Sequence, residues 1–199
     1  MSKKKIAIQG ELGAYSHIAA ENLYKDSEIK TCTTFEETFR QAYNDPSYKI
    51  VIPIENSLAG RVADIHYLLP KYKLQIHGEH FQVVEHNLLC KPDATISDIK
   101  FVRSHAQAIG QCQNLITKKK FKPIISADTA GSAKDLAEGK DKTIAAIASK
   151  LSAEIYNLKI LEKNIEDEKG NVTRFLIMGK NIEQPEFKEE KKFITSCIF

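Results

Sequence analysis

Four times along the chain a short apolar run stops at hydroxyl, amide or acid side chains, and the hydrophobic pattern turns from strand-like to helical: KIAIQGELGAYSH, KIVIPIENSLAG, IKFVRSHAQAIGQC and KPIISADTAGSA. Short apolar runs bounded by polar clusters read as strands, and apolar residues three and four apart read as the inner stripe of a helix. The first part of the chain thus predicts a strand over 6–9, helices over 17–24 and 33–44, a strand over 49–54 and a helix over 60–69 closed by Pro70. Phe35, Thr38, Phe39 and Ala42 share one face of the second helix, and Val62, Ile65 and Leu69 form the stripe of the third. Residues 74–90 are extended and apolar enough to hold long strands that carry the chain from one lobe to another. After Lys91-Pro92 come strands at 99–103, 123–126 and 143–147, alternating with helices at 105–119, 130–138 and 149–157, and a last strand over 171–178. This alternation predicts the α/β class. The last strand either joins the second set or returns to the first lobe. A chain that crosses between lobes more than once makes a hinged pair with a cleft, a common place for ligands.

With 199 residues, 42% of them hydrophobic, the chain can bury a proper core and falls between one large domain and two small ones. A net charge of +3 from 29 basic and 26 acidic residues is close to balanced, and the lysine runs at 3–5 and 118–120 are short. They read as solvated surface rather than a nucleic-acid footprint. No apolar run approaches a membrane span, and MSKKKIAIQG enters a strand without a signal-peptide core, so a soluble cytoplasmic protein is expected. Cys32, Cys90, Cys112 and Cys197 are scattered, with no C-x-x-C pair, and read as reduced, mostly buried thiols. His77, His80 and His86 resemble a metal cluster only at first sight. On a strand over 79–86, His80 and His86 would stand about 20 Å apart at ~3.3 Å per residue, too far to share an ion.

Where strands open onto helix N-termini, free backbone N–H groups and the helix dipole favour anions, so the four junctions predict a cleft for a small polar acid. In PIENSLAG a strand ending at Pro53 puts Glu55, Asn56 and Ser57 at a helix N-cap and first turn. In RSHAQAIGQC, Ser104 is the N-cap candidate, Gln107 and Gln111 follow on one face, and His105 is an acid or base candidate off that stripe. The two glycines of GELGAYSH allow close backbone approach, but the segment is neither a dinucleotide fingerprint nor a phosphate-binding loop. In NVTRFLIMG, Thr173 and Arg174 are strand neighbours and point to opposite faces. A buried Arg174 requires a carboxylate, from the protein or from a ligand.

Taken together, GELGAYSH, PIENSLAGRVADIH, RSHAQAIGQC, DTAGSA and NVTRF resemble, in order and spacing, the catalytic domain of prephenate dehydratase over about residues 5–180. The resemblance implies a two-lobed, type II periplasmic-binding-protein-like α/β fold with the active site between lobes. Residues 1–78 plus 171–182 would form the first lobe and 79–170 the second, with the last strand returning to the first. The tail NIEQPEFKEEKK reads as a linker, and FITSCIF resembles the opening strand of an ACT regulatory domain, so 183–199 would be a truncated start of that domain. The implied reaction, a carbon–oxygen lyase step of phenylalanine biosynthesis, converts prephenate to phenylpyruvate, water and carbon dioxide with neither metal nor organic cofactor. The implied catalytic residues are Thr173, Glu55 and Gln111; Asn56, Ser57, Ser104, Arg174, Thr129 and Ser16 would bind substrate. Ala106 stands where many members have proline. The implied partner is a small dicarboxylate, not nucleic acid or membrane, and the implied assembly is a homodimer or higher homo-oligomer. Alternatives are an arogenate dehydratase of the same chemistry and a non-catalytic acid-binding module of the same fold.

Overall fold

The structure, a computed structural model, describes residues 3–181 of the chain. From the N-terminus run β1 (Lys5–Gln9), α1 (Tyr15–Leu23), β2 (Glu28–Cys32), α2 (Phe35–Asn44), β3 (Tyr48–Asn56), the two-residue β4 (Gly60–Arg61), α3 (Ala63–Tyr72) and β5 (Gln75–Val83). Next come β6 (Asn87–Cys90), β7 (Phe101–His105), α4 (Ala106–Gly110), α5 (Gln113–Lys119), β8 (Lys122–Ser126), α6 (Thr129–Glu138), β9 (Ile144–Ala148), α7 (Lys150–Ile155) and β10 (Lys159–Glu162), and β11 (Val172–Gly179) closes the described chain.

Two sheets result. The first has the order β2-β1-β3-β11-β5, with β4 appended to β3, and the second β10-β6-β9-β7-β8. Strands β1, β2 and β3 are parallel, and β11 runs antiparallel between β3 and β5. The choice left open by the sequence is therefore resolved: the last strand returns to the first lobe. β1 is a continuous apolar run because both of its faces are covered. Ala7, Ile50, Ile52, Leu176 and Met178 pack toward Phe39, Ile65 and Leu69 of α2 and α3. Ile6, Ile8, Val51, Phe175 and Ile177 pack toward Ala19 and Ala20 of α1. In the second sheet Leu88, Val102, Ala145 and Ile147 meet Ile109, Cys112 and Ile116, while Leu89, Ala146 and Ala148 meet Ala133, Leu136 and Ala153. Cys32, Cys90 and Cys112 are buried free thiols, and burial pushes the Cys112 thiol up to about 12.

Several boundaries differ from the expected ones. β5 stays in the first sheet along its whole length, so the chain crosses at 84–86 and the expected division at 78/79 falls inside β5. β2 and β10 were not anticipated; both are edge strands, and only Cys32 of β2 is buried. A hairpin occupies 57–62 where a helix was expected, and Pro70 lies within α3, which ends at Lys73 in the left-handed region at φ 49°. The helix expected over 105–119 is two helices, broken at Gln111 and Cys112. Among the described residues no helix is long and apolar enough to cross a membrane. The expectations placed on 183–199, Cys197 included, lie outside the described residues.

Candidate active site

A cavity of about 530 Å³ opens between the two sheets, within the roughly 300–1,000 Å³ usual for small-molecule sites. The ends of β1, β3 and β11 line it from the first lobe, α4 and the start of α6 from the second, and Val84, His86 and Asn171 from the two crossings. Its far wall is set by an irregularity. Thr173 pairs with Asn56 and Arg174 with Glu55, but Phe175 pairs with Pro53, leaving Ile54 as a bulge. In a regular strand, residues three apart face opposite ways. The bulge instead lets Pro53 and Asn56 both line the cleft, beside Phe175 and Thr173.

Asn56 then fixes the direction of a hydrogen-bond chain. Its Oδ1 accepts from the backbone N–H of Leu58 (3.1 Å) and Ala59 (2.9 Å), so its amide nitrogen must face the other way. That nitrogen donates to Thr173 Oγ1 at 2.9 Å and to Asn171 Oδ1 at 2.6 Å. Asn171 consequently presents Nδ2 to Gln111 Oε1 at 3.0 Å. Gln111 Oε1 lies 2.9 Å from His86 Nε2 as well, which must therefore carry a hydrogen. His86 Nδ1, the accepting nitrogen of that tautomer, is 3.1 Å from the Tyr15 hydroxyl, whose single hydrogen is shared between Nδ1 and the Glu85 carbonyl at 2.7 Å. The chain thus runs from Tyr15 in the first lobe through both crossings and the second lobe back to Thr173. Burial lowers the pKa of His86, opposed by the Gln111 hydrogen bond and the Glu166 carboxylate, and burial raises Tyr15 well above its ordinary range. The outcome at Thr173 is specific: its oxygen accepts from Asn56, and its own hydrogen remains free to donate into the cleft.

Of the residues singled out in the sequence, Thr173, Asn56, Gln111, Thr129 and Ser16 line the cavity, as do Gln107 and His105. Ser16 donates to the Gln9 carbonyl at 3.1 Å, and Thr129 opens α6, whose N-cap Asp128 accepts from Gly131 N. The N-cap of α1, Ala14, offers no side-chain cap; Ala14 N and His17 N bond the Glu11 and Ala14 carbonyls, which leaves Tyr15 N and Ser16 N, on two cavity-lining residues, without a protein acceptor among the described residues. Four expectations are corrected. Glu55 is exposed and stands on the strand face away from the cavity. Ser57 is exposed and accepts from Val172 N at 2.9 Å, stitching β3 to β11. Ser104 is fully buried inside β7 and donates to the Ile147 carbonyl at 2.7 Å; the cap of α4 is His105. Arg174 points to the opposite face, where Nη2 and Nε reach Glu79 Oε2 at 2.6 and 2.7 Å. The cause for the first three is common: β3 and β7 each run two residues past their expected ends, so groups assigned to helix starts belong to strands and a hairpin. Sequence reasoning missed Asn171, Tyr15, Arg61 and the role of His86. Asn171, Tyr15 and Arg61 sat inside quoted motifs and His86 among the histidines weighed for a metal, but their partners are distant in sequence.

The sequence matches the profile of the family described as prephenate dehydratase over residues 6–183. It is 41% identical over 175 residues to a bifunctional N-acyl-homoserine lactone acylase/prephenate dehydratase of Komagataeibacter europaeus, covering 88% of this chain and 62% of that protein. It is 38% identical over 198 residues to arogenate dehydratase 2 of Petunia hybrida, covering 100% of this chain and 50% of that one. The structure superposes on a prephenate dehydratase from Arthrobacter aurescens, solved in complex with L-Phe, with a TM-score of 0.84 at 25% identity over 92% of this chain and 63% of that one. The chain thus spans half to just under two thirds of the length of these relatives.

Proposed function

Because the chain belongs to the prephenate dehydratase family, we propose that its cleft binds prephenate and catalyses the decarboxylating dehydration that yields phenylpyruvate, water and carbon dioxide. The electron pair of the departing C–CO₂ bond enters the ring, the ring C–O bond breaks, and the released hydroxide takes up one proton as water. Aromatisation drives the sequence strongly downhill, so the route calls on no metal or organic cofactor. The obstacle is the leaving group, which must gain a hydrogen bond or a proton as the C–O bond stretches.

The observation that carries this reading is the orientation at Thr173. With Asn56 donating to Oγ1, the threonine hydrogen is available to the leaving hydroxyl and to no protein acceptor among the described residues. A threonine is too weak an acid to surrender its proton fully, so it acts as a donor aimed at developing charge. Phe175, Pro53, Val84 and Ala108 supply an apolar wall for the ring and, with water excluded, favour conversion of a carboxylate to neutral carbon dioxide. The unclaimed amides of Tyr15 and Ser16 at the start of α1 are placed to receive substrate oxygen. The helix-start amides expected near Asn56 and Ser57 have no part in this, since a strand end and a hairpin stand there.

The test is phenylpyruvate formation by the purified protein, with prephenate and arogenate assayed side by side. Thr173→Val keeps the shape and removes the hydroxyl, and is expected to keep the fold and lose roughly 10²–10⁴-fold in kcat, while Thr173→Ser keeps part of the activity. A parent protein that forms no phenylpyruvate from prephenate overturns the reading.

A further inference from the structure

A dicarboxylate must find positive charge, and the cleft is poor in it. Among the cavity-lining residues Arg61 is the one lysine or arginine, against the two acids Asp64 and Asp128. Arg174, the residue expected for this task, is spent on Glu79, and Arg103 on Asp135. Among the described residues Arg61 makes no ion pair, and it is an exposed residue among those lining the cavity.

Its backbone, by contrast, is held firmly. Arg61 belongs to β4, which pairs with the end of β3 through Glu55↔Arg61 and Asn56↔Gly60. Gly60 turns the chain at φ +80°, a conformation that favours glycine. Leu58 N and Ala59 N are anchored on Asn56 Oδ1, and Val62 N on the Ile54 carbonyl at 3.0 Å. Asn56 therefore positions the hydroxyl of Thr173 with one end of its amide and the hairpin carrying Arg61 with the other.

We propose that Arg61 grips the side-chain carboxylate of the substrate, the one that survives into phenylpyruvate. This deepens, and rests on, the reading of the cleft as a prephenate site. The assignment between the two carboxylates follows from the chemistry. The ring carboxylate loses its charge as carbon dioxide departs, so a cation held against it would stabilise the ground state more than the transition state and slow the reaction. The side-chain carboxylate keeps its charge throughout, and a guanidinium there binds substrate, transition state and product alike. A site with a single cation gains by placing it on the retained group.

Uniform binding of this kind appears in KM and not in kcat. The experiment measures kcat and KM for prephenate, the inhibition constant of phenylpyruvate and the melting temperature for the parent, Arg61→Gln and Arg61→Lys. Arg61→Gln is expected to raise KM and the phenylpyruvate constant by the same factor, roughly 10–100-fold for a lost charged hydrogen bond. kcat stays within about threefold, since the interaction is equal in ground and transition states. Arg61→Lys recovers part of the binding, because a point charge replaces the guanidinium fork. An unchanged KM in Arg61→Gln overturns the proposal. A rise in kcat with an unchanged phenylpyruvate constant also overturns it, by placing Arg61 at the departing carboxylate, and so does a fall in kcat that tracks a lower melting temperature. Each of these leaves the parent active; a parent without turnover defeats the underlying reading instead.

Discussion

Asn56→Asp is the sharpest perturbation available, because it keeps one half of the amide and deletes the other. The new carboxylate still accepts from Leu58 N and Ala59 N, so the hairpin bearing Arg61 is retained. It has no hydrogen to give to Thr173 Oγ1 at 2.9 Å or to Asn171 Oδ1 at 2.6 Å. Thr173 then turns its own hydrogen onto the carboxylate, the polarity of the chain reverses toward Gln111 and His86, and the donor for the leaving hydroxyl disappears. With a donated hydrogen worth roughly 10²–10⁴-fold, kcat is expected to fall by about that much. Disrupting a buried pair costs about 1–3 kcal/mol. At roughly 2–4 °C per kcal/mol for a protein of this size, melting should drop by between about 2 and about 12 °C. Steady-state kinetics and thermal melts read the two effects separately. Lowering the pH supplies a second check: once the new carboxyl is protonated its O–H can stand in for the amide, so activity relative to the parent should recover on acidification. A variant whose kcat stays within about twofold of the parent refutes the claim that Asn56 orients Thr173.

Two further outcomes are expected. Arg174→Lys, which would raise KM if Arg174 bound substrate, should leave both kcat and KM unchanged and cost at most about 1 kcal/mol. Its ion pair with Glu79 lies outside the cleft, with the two side chains 33% and 29% exposed, so a KM several-fold higher would return Arg174 to the substrate. Burial lowers the pKa of His17, His77 and His86 below the ordinary value of 6.5. The unfolded chain then binds more protons than the folded one below about pH 6.5; stability is fully present above that value and falls as the pH drops toward the folded pKa values. Thermal melts between pH 8 and 5 should show the decline, shallower in His86→Gln, and a flat profile across that range would contradict it.

The strands that could be read from the sequence are those covered on both faces: β1, β3 and β9 announce themselves as continuous apolar runs. β2, EIKTC, is an edge with one buried side chain, and its pattern is that of a loop. The return of β11 was not decidable locally, because its neighbours β3 and β5 lie about 90 and more residues earlier. Ser104 shows how a capping rule misleads: a hydroxyl before a helix reads as a cap, yet two more residues of strand turn it into a buried donor to Ile147. Thr173 was reached through the family motif; composition would have left it an ordinary strand residue. The chain of amides around it needs residues 15, 56, 86, 111 and 171 in one place, and no window of sequence contains them. Arg61 stayed hidden for a plainer reason, since a charged residue beside a glycine turn ordinarily belongs to solvent.

The place of β11 in the middle of the first sheet also governs the order in which the molecule can be built. The second sheet is a continuous stretch, β6 through β10, and a ribosome delivers all of it before the strand on which the first sheet depends. Until β11 emerges, β5 has no strand partner at all, and β3 offers an open edge beyond the two residues of β4. The first lobe, although synthesised first, is thus the last to close, and during that interval its bare strand edges are the surface that chaperones or aggregation would find.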